Sequence, residues 1–466
     1  MGKVQPRVRM AKREPEDRAK DFDEVALGLT DEEAEYEASR CLQCPKQPCI
    51  AACPVGALIP SFMKAVKEKE MGKAYEIVRE KNRIPAISGR VCPQESLCEE
   101  ECTLARIGQP VAIGAVERYI ADYALKNGLS REIRPGEEGR RKIAVVGSGP
   151  AGLTVAAEMV ARGHEVKVFE ALHKPGGVVV YGIPEFRLPK KIVEQEVDTL
   201  RRQGVGFEYG VIVGRTVKVR DLFDDGFDSV FVGTGAGSPK FMGLPGENLN
   251  YVYSSNEFLT RINLLKAYSF PTYGTPVKVG QKVVVIGAGN TAMDSGRTAL
   301  RMGAKEVYIV YRRTRAEMPA RREEVLNAEE EGVQFLMLSS PVRFLGDEKG
   351  SVKGLELQAM ELGEPDQSGR RRPRPVSGSE FLKDADTVVM AIGNRVNPLI
   401  QMTTPGLATA GEEGLIKVDG TYESSIKGLY AAGDVVLGEA TVIQAMGTGQ
   451  KAALSMQRKL EPPPSL

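Results

Sequence analysis

The chain has 466 residues, 42% of them hydrophobic, enough for about three domains with buried cores. Its 63 basic and 62 acidic residues leave a formal charge of +1, which excludes a global field drawing it to nucleic acid or to an anionic membrane surface. No apolar run reaches membrane-spanning length, and the charged start MGKVQPRVRMAKREPEDRAKDFDEV is neither a signal peptide nor an anchor, so a soluble cytoplasmic protein is expected.

Thr30-Asp31-Glu32-Glu33 is a capping-box start for a helix running toward Cys41. All seven cysteines lie between Cys41 and Cys102, and in a reducing compartment such clustering points to metal before disulfides. Cys41, Cys44, Cys49 and Cys53-Pro54 have the spacing C-x2-C-x4-C-x3-C-P, close to the bacterial ferredoxin run; Cys92-Pro93, Cys98 and Cys102 form a second group. Zinc held by cysteine pairs is the rival reading, set against the Cys-Pro step in both groups. Two four-iron clusters want eight ligands, one more than the cysteines supply. Ile113, Val116, Ile120 and Ala124 share a helix face with Glu117, and a carboxylate on an apolar stripe is costly unless paired or metal-bound. Glu117 is therefore the candidate eighth ligand; the alternative is an acid at the stripe's edge that reaches solvent or pairs nearby.

Asn127-Gly128-Leu129 and SREIRPGEEGRRK read as a linker. Beyond it, Lys142 to Glu170 reads as a βαβ start built to hold a dinucleotide. The apolar run to Val146 enters Gly147-Ser148-Gly149-Pro150-Ala151-Gly152, which opens an Ala-rich helix. Gly147 permits the turn, Gly149 lets the backbone approach a pyrophosphate, and Gly152 lets the helix sit close to the strand. Glu170 follows about 20 residues later, placed to accept from ribose hydroxyls. Gly176 and Gly177 suit close approach to a flat ring system, a surface loop being the alternative. His164 and His173 fit no motif and are expected to face solvent.

From Val277 to Val396 the plan repeats: Lys282 to Ile286, then Gly287-Ala288-Gly289-Asn290-Thr291-Ala292, and later Ala385 to Gly393, which echoes the earlier run ending in Gly235. At the end of this unit's second strand stand Arg312 and Arg313, where an acid would select NAD. Two guanidiniums suit a 2'-phosphate, so this unit reads as the NADPH site; a solvated basic strand end is the alternative. The run Arg370-Arg371-Arg372-Pro373-Arg374 reads as an exposed hairpin loop with no anion-binding role. Leu429 to Asp434 is a strand ending in Gly433-Asp434, Thr441-Val442 opens a helix, and Pro462-Pro463-Pro464 is an expected disordered tail.

CLQC, Cys49, the CP steps, SGRVCP and IGAVERYI resemble the N-terminal iron-sulfur domain of the glutamate synthase small-subunit family. Dihydropyrimidine dehydrogenase and the large subunit of NADH-dependent ferredoxin:NADP oxidoreductase share that domain. Carried over by position, the resemblance implies one 4Fe-4S cluster on Cys41, Cys44, Cys49 and Cys102. A second would lie on Cys53, Cys92 and Cys98 with a non-cysteine ligand at Glu117, where some relatives have glutamine. YGIPEFRLP is similar to the family's flavin-side loop, and Gly433-Asp434 resembles the second FAD fingerprint of two-dinucleotide flavoproteins.

The implied fold is an all-α cluster domain (1–138) followed by two α/β Rossmann-like domains. FAD takes 139–275 and 397–466, and NADPH takes 276–396, inserted between. The implied activity is NADPH-dependent electron transfer through FAD and two clusters to a partner that makes glutamate from 2-oxoglutarate and glutamine. A second possibility is the NADPH-binding subunit of a ferredoxin:NADP oxidoreductase, and a third a degenerate structural subunit. A disulfide reductase is disfavoured because no cysteine follows Cys102.

Overall fold

The computed structural model describes residues 6–129, 140–366 and 369–461. Most of the expected linker, the boundary at 138 and the Pro462-Pro463-Pro464 tail lie outside them. Among the described residues no helix is long and apolar enough to cross a membrane.

Thr30 caps Asp31–Ser39 as expected: its hydroxyl accepts from Glu33 N–H at 3.2 Å, and the Glu33 carboxylate accepts from Thr30 N–H at 2.9 Å. Helices Ile59–Lys67, Met71–Lys81, Pro85–Val91 and Ile113–Lys126 then close around a core that includes Phe62, Met63, Ile87, Val116 and Ile120. That core continues into Val179, Val180, Leu188, Ile443 and Met446 of the α/β region, so the cysteine-bearing helices are packed against it through shared apolar surface.

Two five-stranded parallel sheets follow. The first runs Leu429–Ala431, Ser229–Val232, Lys142–Val146, Glu165–Glu170, Gly206–Tyr209; the second runs Val252–Ser254, Thr387–Met390, Lys282–Ile286, Glu306–Tyr311, Gln334–Met337. Their central strands are buried on both faces, which explains the continuous β-branched runs. In each sheet the glycine-loop strand is central and its βα partner lies beside it, so the repeat read from sequence is a repeat of topology. Leu429–Ala431 returns to the first sheet, and the second unit is inserted as expected.

One boundary is corrected. Val252–Ser254, assigned by 139–275 to the first unit, pairs with Thr387–Met390 and is the edge of the second sheet. Three residues carry too little pattern to announce a strand; Ser238–Pro239 paired with Asn394–Arg395 marks where the chain passes between units. The basic run is corrected too. Arg371–Asp384 is an edge strand antiparallel to Val352–Pro365, and only the turn before it is loop; Pro373 is tolerated because an edge strand leaves amides unpaired on one side. His164 is buried rather than solvated: Arg141 N–H donates to its Nδ1 at 3.3 Å, leaving Nε2–H to donate to Gln457 Oε1 at 2.6 Å. His173 is exposed as expected.

The N-terminal arm is stitched to the second unit by buried charge. Glu331 receives Arg18 Nε at 3.0 Å, Arg297 Nη2 at 2.7 Å and Arg301 Nη1 at 2.6 Å, while Glu324 pairs with Arg297 and Arg187. Burial would raise both carboxyls, but the arginines overcome it and hold each at about 2. Removing the carboxylate shared by three buried guanidiniums strands Arg301 and leaves Arg18 and Arg297 with one carboxylate each, Glu330 and Glu324, so Glu331→Ala should cost about 3–5 kcal/mol. The thermal unfolding midpoint reads this, and an unchanged midpoint would count against it. Because both folded pKa values lie below the ordinary 4.5, the stabilisation is complete above pH 4.5 and should erode as pH falls toward 2 in acid titration.

Candidate functional site

At the carboxyl ends of both sheets lies one continuous cavity of about 1190 Å³. Both glycine loops line it. From the first come Gly147, Gly149, Pro150 and Ala151; from the second, Gly287, Gly289, Asn290 and Thr291. Gly147 has φ +94 with Gly233 O directly beside its Cα, a place no side chain could occupy. Gly149 and Gly289 are the N-caps of Pro150–Val160 and Asn290–Arg301, so both helix N-termini open on the cavity with their unpaired amides.

Gly152, Gly176 and Ala292 do not reach the cavity. Gly152 serves packing, since a Cβ there would collide with the Gly147 carbonyl oxygen. Gly176 N–H donates to Ser148 Oγ at 3.0 Å, and Ala292 is buried in its helix. Glu170 is a wall residue whose carboxylate also binds protein: Oε2 accepts from Ser148 N–H at 2.9 Å and from the Ser148 hydroxyl, and Oε1 accepts from Leu172 N–H at 2.8 Å. A carboxylate has about four acceptor sites, so capacity for ribose hydroxyls remains. Ser148, fully buried, is the hub that sequence reading passed over; only its place inside the glycine loop could have signalled it.

Gly433, Asp434, Thr441 and Val442 also line the cavity, with Gly177 and Tyr181 from the paired-glycine loop; Gly177 lies against Gly149 and Gly433 against Ala151 of the first loop. Thr441 caps Val442–Leu460, accepting from Gln444 N–H, while the Gln444 side chain accepts from Thr441 N–H. Burial raises the Asp434 carboxyl to about 7, with Glu439 adding like charge. Arg312 and Arg313 both line the cavity, but differently: Arg312 is exposed, whereas Arg313 is buried and ion-paired with Asp366 at 2.7 Å.

The cysteines fall into two groups. Cys41, Cys44, Cys49 and Cys102 surround a small recess floored by Met63 and Val111. Cys53, Cys92, Cys98 and Glu117 lie within electrostatic reach: beyond burial, the Glu117 charge presses all three thiols up, and Cys53 does the same to Cys92 and Cys98. None is in a disulfide. Among the described residues no three His, Cys, Asp or Glu side chains converge as a single small ion requires. Burial pushes Cys49 up to about 11 and Cys92 and Cys98 well above the usual thiol range. Such thiols become anions only beside strong positive charge, which a cluster's iron supplies. Glu117 is half-buried beside this second set, its Oε1 accepting from Asn82 Nδ2 at 2.9 Å and Ser88 Oγ at 3.0 Å, and desolvation of the carboxyl raises it to about 7.

Two contacts bring this second set to the cavity. Val91 and Pro93, on either side of Cys92, are part of the cavity wall. Gly447, one turn into the helix that Thr441 caps, packs so tightly on the Pro54 carbonyl beside Cys53 that a Cβ could not be inserted.

The family described as dihydropyrimidine dehydrogenase domain II, 4Fe-4S cluster, matches residues 18–129, and that described as pyridine nucleotide-disulphide oxidoreductase matches 141–453. The chain is 37% identical over 440 residues to the glutamate synthase [NADPH] small chain of Halomonas elongata, covering 93% of this chain and 92% of that one. It is 38% identical to the NADP(+)-dependent formate dehydrogenase subunit beta of Moorella thermoacetica, with 89% of this chain covering only 60% of that relative. The Mycobacterium tuberculosis FprA structure in complex with NADPH shares the fold, with TM-score 0.58 and 22% identity over 69% of this chain and 84% of that one. The chain therefore belongs to the pyridine nucleotide-disulphide oxidoreductase family, in the group of glutamate synthase small chains, as an NADPH-dependent oxidoreductase of the FAD and iron-sulfur type.

Proposed function

We propose that this chain relays electrons between NADPH and a partner protein through FAD and two 4Fe-4S clusters. The observation that carries the reading is the shared wall: residues flanking Cys92 border the cavity that both glycine loops open on. When bound, the flavin would exchange one hydride, an electron pair, with nicotinamide and pass electrons singly, as clusters accept them.

The protein's own residues bind, orient and enclose. Gly147, Gly149, Pro150, Ala151, Glu170, Gly177, Gly433, Asp434, Thr441 and Val442 hold FAD, with Gly152 and Gly176 acting through packing. Gly287, Gly289, Asn290, Thr291 and the strand-end arginines hold NADPH, and Ala292 supports them from within its helix. Cys41, Cys44, Cys49 and Cys102 hold the first cluster; Cys53, Cys92, Cys98 and Glu117 hold the second. The domains follow the two sheets, with the NADPH unit enlarged to include Val252–Ser254. No side-chain general base is assigned, since hydride transfer needs positioning and exclusion of water.

The partner we favour is a glutamate synthase large subunit, which makes glutamate from 2-oxoglutarate and glutamine, because the likeness to the Halomonas elongata small chain covers almost all of both chains. The likeness to a formate dehydrogenase subunit, similar in identity though it spans 60% of that relative, favours a second reading, in which this module serves another reductase, such as a ferredoxin:NADP oxidoreductase. Anaerobic affinity capture decides between them by the size and cofactor of the co-purifying chain. Seven free cysteines are at home in a reducing cytoplasm.

Anaerobically purified protein should carry about eight irons and one FAD; two zincs without inorganic sulfide would end the cluster assignment. Glu117→Ala should alter the electron paramagnetic resonance signal of one cluster and spare the other, and an unchanged spectrum would remove Glu117 from the ligand set. Gly447→Ala must push its helix off Pro54, so fewer clusters should be reduced at a fixed early time after NADPH addition; wild-type reduction would discount this contact as the junction.

A further inference from the structure

Two of the four sulfurs in the first cysteine set meet a side chain that can donate to them. Thr103 Oγ1 lies 3.2 Å from Cys44 Sγ, and Gln43 Nε2 lies 3.5 Å from Cys41 Sγ. Among the described residues no side chain makes such a contact with Cys53, Cys92 or Cys98.

Both donors are directed by their surroundings. The Gln43 amide is oriented by the Pro60 carbonyl oxygen, which can only accept: Nε2 donates to it at 2.8 Å, leaving the second Nε2 hydrogen for Cys41. Gln43 also holds φ at +51, a left-handed backbone that a long side chain adopts only where the surroundings impose it. Its side chain thus turns back onto Cys41 although the residue is exposed. Thr103 follows Cys102 and reaches across to Cys44, 59 positions away in the chain; its hydroxyl makes no other hydrogen bond among the described residues. A free thiol could donate to the Thr103 oxygen. A thiolate holding iron has no proton, so there the hydroxyl is the donor.

We propose that Gln43 and Thr103 raise the reduction potential of the cluster held by Cys41, Cys44, Cys49 and Cys102, each by donating to a ligand sulfur. This rests on reading that set as a 4Fe-4S site. Uptake of one electron adds one negative charge, which the thiolates share, and a donor aimed at a thiolate stabilises the reduced form more than the oxidised. All four of these cysteines are partly exposed, whereas Cys92 and Cys98 are buried, so solvent acts on the first set in the same direction. Without the two donors this cluster would take an electron less readily.

Potentiometric titration of the anaerobically purified holoprotein, followed by electron paramagnetic resonance, reads each cluster's midpoint without turnover. Thr103→Val removes the hydroxyl at nearly constant shape, and Gln43→Met removes the amide at similar length. Both variants should lower the same one of the two midpoints, the reduction equilibrium constant falling about tenfold, about 59 mV for one electron, and leave the other unchanged. Thr103→Ser keeps the donor and should keep the wild-type value. Variants with full iron content and unshifted midpoints, midpoints that rise, or iron lost at unshifted potential as packing alone would cause, would each overturn the proposal and leave the relay reading standing. Wild-type protein with no iron-sulfur signal would overturn that reading, and the proposal with it.

Discussion

Arg187 is the pin on which the arrangement turns. It leaves the loop YGIPEFRLP of the first unit and donates from Nη1 to both carboxylate oxygens of Asp294 at 2.8 and 2.7 Å, on the helix that the second glycine loop begins. Its Nε meets Glu324 at 3.2 Å, joining the network that also holds Arg18 of the N-terminal arm. Lys190 Nζ, donating to Ile183 O at 2.6 Å and Leu188 O at 2.8 Å, keeps the loop in shape beneath it. Buried pairs of this kind are weak contributors to net stability and strong determinants of geometry, since neither charge can leave without stranding the other. What they fix here is the relation between the two nucleotide units.

A second constraint is backbone proximity, obtained by omitting side chains. Gly447 against Pro54 brings the helix capped by Thr441 onto the chain next to Cys53, and Gly449 brings it onto Ala151 of the first glycine loop. One helix therefore touches both the loop assigned to FAD and the backbone of a cysteine assigned to the nearer cluster. The shared apolar core, in which Ile443 and Met446 pack with Phe62 and Val116, keeps that helix from drifting. Arg321 adds a polar tie, bonding Glu95 and Gln94 of the cysteine region while its amide donates to Asn290 Oδ1 of the second loop.

Features that depend on a few consecutive residues were legible from the chain alone. The capping box at Thr30, both glycine loops, the buried strands and the helix opened by Thr441 each carry their physics within about ten residues. The division of cysteines into two sets came from family resemblance, and the structure gathers the same sets. What escaped reading depends on distant partners. Arg187 and Asp294 are 107 positions apart, and nothing local in either tells of the other. Nothing local to Arg313 announces its ion pair with Asp366, 53 positions away. Val252–Ser254 is too short to register as a strand, and His164 is buried where its ring meets Gln457, 293 positions away on the C-terminal helix.

These elements make one circuit: nicotinamide to flavin to iron, held together by buried charge on one side and by bare backbone on the other. The most direct test is anaerobic stopped-flow mixing of the holoprotein with stoichiometric NADPH, recording the flavin absorbance and the slower broad bleaching of the clusters together. The account predicts that the yellow chromophore fades first and partly recovers as the clusters take up electrons. Clusters reduced with no preceding loss of flavin colour, or no loss of colour at all, would contradict it.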